Sequence, residues 1–236
     1  MKNFFKALGL VIVLLSSCKK DHQGGESIPG PDRQSNIEEA FPGQSGEAKD
    51  ATVADQKVYY QKIGANNVLE GDIILTDEQI AGIATQDIEN GGTESTGRTA
   101  LYSRWPNGIV YYAIDPALPN QARAIDAMNY WQTKTLVRFV QRSSQSNYIY
   151  FVPGGGCSSY IGMINSRQDI TLATGCTTGN TIHEIGHAIG LWHEQSRSDR
   201  DNNVTIKWSN IKTGYESNFK TYVEQKYDGL TKVGLI

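Results

Sequence analysis

The chain of 236 residues has few histidines (four), few cysteines (three) and few methionines (three), and its net charge is −3. Without a basic excess there is no overall charge to hold a phosphate backbone, which argues against a nucleic-acid partner. A mean hydropathy of −0.43 excludes a polytopic membrane protein. The apolar run Leu8 to Leu15 is shorter than the roughly 20 residues that span a bilayer comfortably. No methionine follows Met163. What remains is an ordinary globular composition, 39% hydrophobic and 20% charged. Within it the scarce histidines are clustered: His183, His187 and His193 fall together, leaving only His22 elsewhere.

The N-terminus reads as an address. Lys2 and Lys6 mark a short basic region, and Leu8 to Leu15, broken only by Gly9, suits the apolar core of a signal peptide. Leu15-Ser16-Ser17-Cys18 resembles the bacterial lipobox, in which cleavage precedes the Cys and its thiol is lipidated. This predicts a signal peptide over 1–17 and lipidation at Cys18. The protein is then exported and lipid-anchored in a bacterial cell envelope, facing the periplasm or at the cell surface. With Cys18 so used, Cys157 and Cys176 remain as a pair. Export permits a disulfide, and closing a loop of this size stabilises by roughly 3 kcal/mol.

Residues 18–52 are rich in Gly, Pro, Ser, Gln and charge and read as a flexible tether. Apolar residues return at Val53, and Val68 to Leu75 reads as extended. Thr76 with Gln79 forms a capping box ahead of a short helix over Asp77 to Ala84. The polar, Gly-rich stretch 90–98 reads as an exposed, cleavable linker. Beyond it, Ile109 to Ile114, Val137 to Val140, Tyr148 to Val152 and Ile170 to Ala173 read as strands. Asn120 to Lys134 and Thr178 to Leu191 read as helices. This order is an α+β pattern.

The second helix carries His183-Glu184-Ile185-Gly186-His187-Ala188-Ile189-Gly190-Leu191-Trp192-His193. Spacing of four places His183 and His187 on one helix face, where they can share a metal. Gly190 can leave the helix through a left-handed conformation and bring His193 back as a third ligand. Three neutral imidazoles hold one Zn²⁺ and leave a position open for water. Glu184 is then placed to take that water's proton as general base and pass it to a leaving amine.

This run, continued by Glu194-Gln195-Ser196-Arg197-Ser198-Asp199-Arg200-Asp201, resembles the astacin signature within the metzincin peptidases. Trp105-Pro106-Asn107-Gly108-Ile109-Val110-Tyr111-Tyr112 resembles the first strand of the astacin catalytic domain. The stretch from Gly156-Cys157 to Gly175-Cys176 resembles its disulfide loop. The resemblance implies a metzincin-type α+β fold over 99–236. Its N-terminal subdomain would hold a twisted mixed sheet and two long helices. The implied activity is a zinc-dependent endopeptidase acting on protein or peptide substrates. Leu69-Glu70-Gly71-Asp72-Ile73 resembles the propeptide motif whose Asp binds the zinc and silences the zymogen, which makes 53–98 a propeptide and Asp72 its switch. Activation by another protease is expected near Arg98-Thr99. The freed N-terminus is expected to pair with a buried Glu194. Arg197 and Asp199 are expected to form a structural ion network.

One family element is missing. Metzincins close the site floor with a Met-containing turn after the third His, and astacins place a zinc-binding Tyr shortly beyond it. The lack of Met after Met163 therefore predicts a truncated C-terminal subdomain. It also opens a second reading: a catalytically impaired or inactive zinc-binding surface lipoprotein.

Overall fold

The computed structural model describes residues 38–53, 56–81, 104–197 and 199–221. Cys18, Arg98 and Thr99 lie outside the described residues. In chain order the strands are β1 (Glu47–Val53), β2 (Gln56–Ile63), β3 (Asn66–Leu69), β4 (Ile73–Leu75), β5 (Ile109–Ile114), β6 (Arg138–Gln141), β7 (Tyr148–Pro153), β8 (Cys157–Tyr160) and β9 (Arg167–Leu172). The helices are α1 (Asp77–Ile80), α2 (Ala122–Lys134) and α3 (Thr178–Ala188). The strands join in one mixed sheet of order β1-β2-β3-β4-β8-β9-β7-β5-β6.

Two kinds of pairing meet in this sheet. β5 pairs in parallel with both β6 and β7, and β7 with β9. Parallel neighbours need a crossover, and α2 supplies it between β5 and β6. β1 to β4 instead form an antiparallel meander. The seam is β4 against β8, a parallel pairing of Ile73 with Ser159 and Ile74 with Tyr160. The N-terminal strands thus extend the same sheet that carries α2 and α3. The expected α+β architecture with two longer helices is what the chain adopts.

Several strands differ from expectation: β2 is an unexpected strand, and the extended stretch expected over Val68 to Leu75 is two antiparallel strands, β3 and β4, with a turn between Leu69 and Ile73. β1 starts at Glu47, inside the stretch that composition assigned to a tether. Its sequence EAKDATV is mostly exposed, so backbone pairing with β2 holds it and there is no apolar alternation to read. β8, with sequence CSSY, was not anticipated either. Its polar residues Ser158 and Ser159 are buried because the strand is paired on both sides. α1 has the expected capping box: Gln79 N donates to Thr76 Oγ1 and Thr76 N to Gln79 Oε1. α3 has one too, between Thr177 and Asn180.

The core divides in the same way as the pairing. Val110, Ile149, Phe151, Ile170 and Leu172 of the sheet pack with Ala124, Ala127 and Met128 of α2 and with Ile185 and Ala188 of α3. A second cluster joins Val53, Val58, Tyr60, Leu69, Ile73 and Leu75 of the meander to Ile161 and Trp192. Trp192 precedes His193, so the meander is packed directly beside the histidine cluster.

Candidate metal centre

The capping box at Thr177 starts α3, and the helical period then turns His183 and His187 toward one point. Gly190, at φ +107°, ends the helix. Its N–H donates to the carbonyl of His187, and Leu191 N–H to that of Gly186. The chain reverses and delivers His193. Several contacts hold α3 from behind. Trp105 Nε1 donates to the Ala188 carbonyl at 2.8 Å, and Trp131 Nε1 to that of Ile182 at 2.9 Å. The disulfide Cys157–Cys176 joins β8 to the loop entering the helix, in agreement with the expected pairing.

The three imidazole Nε2 atoms converge: 2.8 Å between His187 and His183, and 3.2 Å between His183 and His193. Asp72 closes the group from the meander side. Its Oδ2 lies 3.1 Å from His183 Nε2, 3.7 Å from His187 Nε2 and 3.2 Å from His193 Nε2. These four side chains are the group able to hold a metal among the described residues. Tetrahedral zinc with bonds of about 2.0–2.1 Å sets its ligands roughly 3.3 Å apart, which the observed separations bracket.

The donor chemistry fits the same ion. His187 Nδ1 lies 2.7 Å from the Leu191 carbonyl oxygen, which can only accept. Nδ1 therefore carries the proton, and Nε2 of the neutral ring presents a lone pair. His193 Nδ1 lies 2.8 Å from Glu70 Oε2, which favours the same tautomer. Lone pairs aimed at one point repel unless a cation lies between them, so the residues fit a zinc ion.

The electrostatics reflect a buried cluster of opposite charges. With protons rather than a metal ion on the imidazoles, burial opposes ionisation of Asp72, but the positive charge of His193 and hydrogen bonds from all three histidines outweigh it and hold the carboxyl well below its usual range. Burial likewise opposes protonation of His193, yet Asp72 and Glu70 push that imidazole up to about 10. Burial keeps His187 low. Glu184 is fully buried, and neither carboxylate oxygen has a hydrogen-bond partner among the described residues. Burial first, then the charges of Asp72 and Glu38, push its carboxyl well above the usual range.

Asp72 is held by its backbone as well as by its carboxylate. Its carbonyl accepts from Ser159 N–H at 3.2 Å. Gly71, at φ +100°, lets the chain bend into the site, where Ala40 N–H donates to its carbonyl at 2.7 Å. Glu39 O accepts from Cys157 N–H, and Asn180 Nδ2 donates to Glu38 Oε1. Residues 38–40 thus lie across the start of β8 and the first turn of α3.

Other expected residues fall as follows. In the uncut chain the Glu194 side chain is 56% exposed and pairs with Arg197 Nη1 at 3.1 Å; its expected pairing with a freed N-terminus belongs to the cut chain, and Thr99 lies outside the described residues. Arg197 and Asp199 pair at 2.8 Å, as expected. Sequence reasoning missed Arg123, buried on α2, whose guanidinium donates to the carbonyls of Ala173, Cys176 and Leu172. It also missed Glu70. A charged residue at i−4 of a buried helix face, as Arg123 is to Ala127, was the available signal for the first.

Residues 97–233 match the family model Astacin, a peptidase family. The zinc metalloproteinase nas-31 of Caenorhabditis elegans is 38% identical over 167 residues, covering 66% of this chain and 27% of that protein. Blastula protease 10 of Paracentrotus lividus is 38% identical over 169 residues, covering 65% of this chain and 28% of that protein. Among solved structures, high choriolytic enzyme 1, a hatching enzyme zinc-protease of Oryzias latipes, is 35% identical. It covers 50% of this chain and 62% of that one, with a TM-score of 0.45. The chain spans little more than a quarter of the length of these two curated relatives.

Proposed function

Because this chain belongs to the astacin family of peptidases, we propose that it is a latent zinc-dependent endopeptidase, silenced by its own N-terminal segment. One observation carries the reading: the Asp72 carboxylate lies within 3.7 Å of all three histidine Nε2 atoms. His183, His187 and His193 would hold the zinc. When bound, that ion polarises a scissile carbonyl and acidifies water.

Glu184 is the proton carrier in this reading. A buried carboxylate with no hydrogen-bond partner among the described residues is basic enough to accept a proton from the attacking water. It then returns the proton to the leaving amine. Asp72 takes the face of the cluster that a substrate carbonyl would need. β4 takes the edge of β8, where an extended peptide would otherwise add by backbone hydrogen bonds. Activation then requires an activating protease to cut between α1 and Trp105. The substrate is a protein or peptide. Attachment to a membrane through lipid on Cys18 would place the enzyme at the cell envelope.

The test is peptide cleavage by the zinc-loaded full chain before and after limited proteolysis. The reading expects negligible turnover before the cut and a rise after it, with Glu184→Gln silent in both states. Equal turnover by cut and uncut wild-type chains would overturn the latency reading. Failure of the chain to bind zinc would overturn the metal site.

A further inference from the structure

Two of the three histidines have their Nδ1 atoms engaged, but by partners of different origin. His187 donates to the carbonyl of Leu191, four residues along its own segment. His193 contacts Glu70 Oε2, which reaches it from the N-terminal meander. The Glu70 side chain is 2% exposed and that of His193 5%. No arginine or lysine is paired with Glu70 among the described residues.

The backbone around this contact is built for it. Glu70 adopts φ +50° and Gly71 φ +100°. Glycine tolerates that region; glutamate does so at a cost, and such strain persists where surrounding structure demands it. The bend sends the carboxylates of Glu70 and Asp72 to opposite nitrogens of one imidazole. Asp72 meets Nε2 and Glu70 meets Nδ1. Burying a carboxylate is unfavourable unless it is paired, and His193 is the partner that Glu70 is given.

We propose that Glu70 is a positioning residue for the metal: it holds His193 in the Nδ1–H tautomer, so that the N-terminal segment tightens zinc binding in the latent chain. The inference deepens the proposed zinc site and rests on the reading of the three histidines as its ligands. Carboxylate bonding to the remote nitrogen of a ligand histidine orients the ring and raises its basicity. Loss of such a partner weakens metal binding by roughly 10- to 100-fold. The segment would then act on the site twice, blocking it through Asp72 and strengthening it through Glu70. Its departure would leave His187 with its own carbonyl partner and His193 without Glu70.

The experiment uses the full chain, with Glu70→Gln and Glu70→Ala beside wild type. Zinc affinity is measured by competition with a chromophoric chelator. The Nδ1 proton of His193 is followed by NMR on protein labelled with ¹⁵N-histidine. The expected result for Glu70→Gln is about a tenfold loss of zinc affinity. The His193 Nδ1 proton should move upfield, with that of His187 unchanged. Glu70→Gln keeps the side-chain shape, so it remains informative if Glu70→Ala fails to fold. A folded Glu70→Gln chain that binds zinc like wild type overturns the proposal, as does an unmoved His193 proton. Asp72→Ala, measured in parallel, separates the two ideas. Unchanged zinc affinity there, with weakened affinity in Glu70→Gln, sinks the ligand role of Asp72 alone. The opposite pattern sinks the Glu70 assignment alone.

Discussion

The carbonyl of Asp72 accepts a hydrogen bond from Ser159 N–H at 3.2 Å, while the carboxylate of the same residue faces the three histidines. Asp72 therefore belongs to the metal centre through its side chain and to the β8 seam through its backbone. Removing the carboxylate leaves the seam in place. Asp72→Ala is expected to release latency only in part. Losing a charge-assisted contact of about 1.5–3 kcal/mol favours the open chain by roughly 10- to 150-fold. Peptide turnover by uncut Asp72→Ala should rise above uncut wild type but stay below cut wild type. Full activity without a cut would show that the β4–β8 pairing contributes nothing.

Glu184→Gln separates chemistry from folding. Loss of a general base lowers turnover by about 10²–10⁴-fold. Glu184 is buried without hydrogen-bond partners among the described residues, and burial already favours its neutral form, so the isosteric amide gives up no folded-state contact. The variant should melt no lower than wild type and bind zinc with similar affinity. A clear drop in Tm would mean that Glu184 has a structural partner after all.

Arg123 tests the support behind the site. Its guanidinium serves carbonyls of the connection between β9 and α3. Arg123→Ala leaves those carbonyls buried and removes packing, and is expected to cost about 3 kcal/mol. Urea denaturation measures this directly. A change under about 0.5 kcal/mol, the level of an ordinary surface substitution, would deny the residue its role.

The disulfide acts on the same connection. Cys157→Ser with Cys176→Ser should lower stability by roughly 3 kcal/mol, the value for a loop of this size. The loop leads straight into the first turn of α3, so zinc affinity should fall with it. Chelator competition on the double variant checks the second effect.

Metal removal should be visible in stability alone. A ligand that binds only the folded state stabilises it by about 4 kcal/mol at 1,000 times its Kd. A chelator should therefore lower the Tm of the full chain, and added zinc should restore it. Identical melting in both conditions would count against zinc at this cluster.

Much of the site was legible because its geometry is local. His183 and His187 share a helix face by periodicity, and Gly190 marks the turn that returns His193. Strands rich in β-branched and aromatic residues, such as Ile109–Ile114, also announce themselves. β1 and β8 did not, because their sequences are polar and their order comes from neighbouring backbones. The role that the family pattern gives Glu194 depends on an N-terminus freed by cleavage; in the uncut chain its carboxylate pairs with Arg197 at the surface.

The sequence by itself therefore determined the zinc-binding chemistry: residue types and spacing within eleven positions decide which groups can bind and on which face. Only tertiary structure decided how the meander meets that face. It brings Glu70 and Asp72 more than a hundred residues along the chain to opposite sides of one imidazole. No periodicity encodes such a contact. It follows from strand pairing across β4 and β8 and from the burial of Leu69, Ile73 and Trp192 together, both of which exist only once the chain has folded.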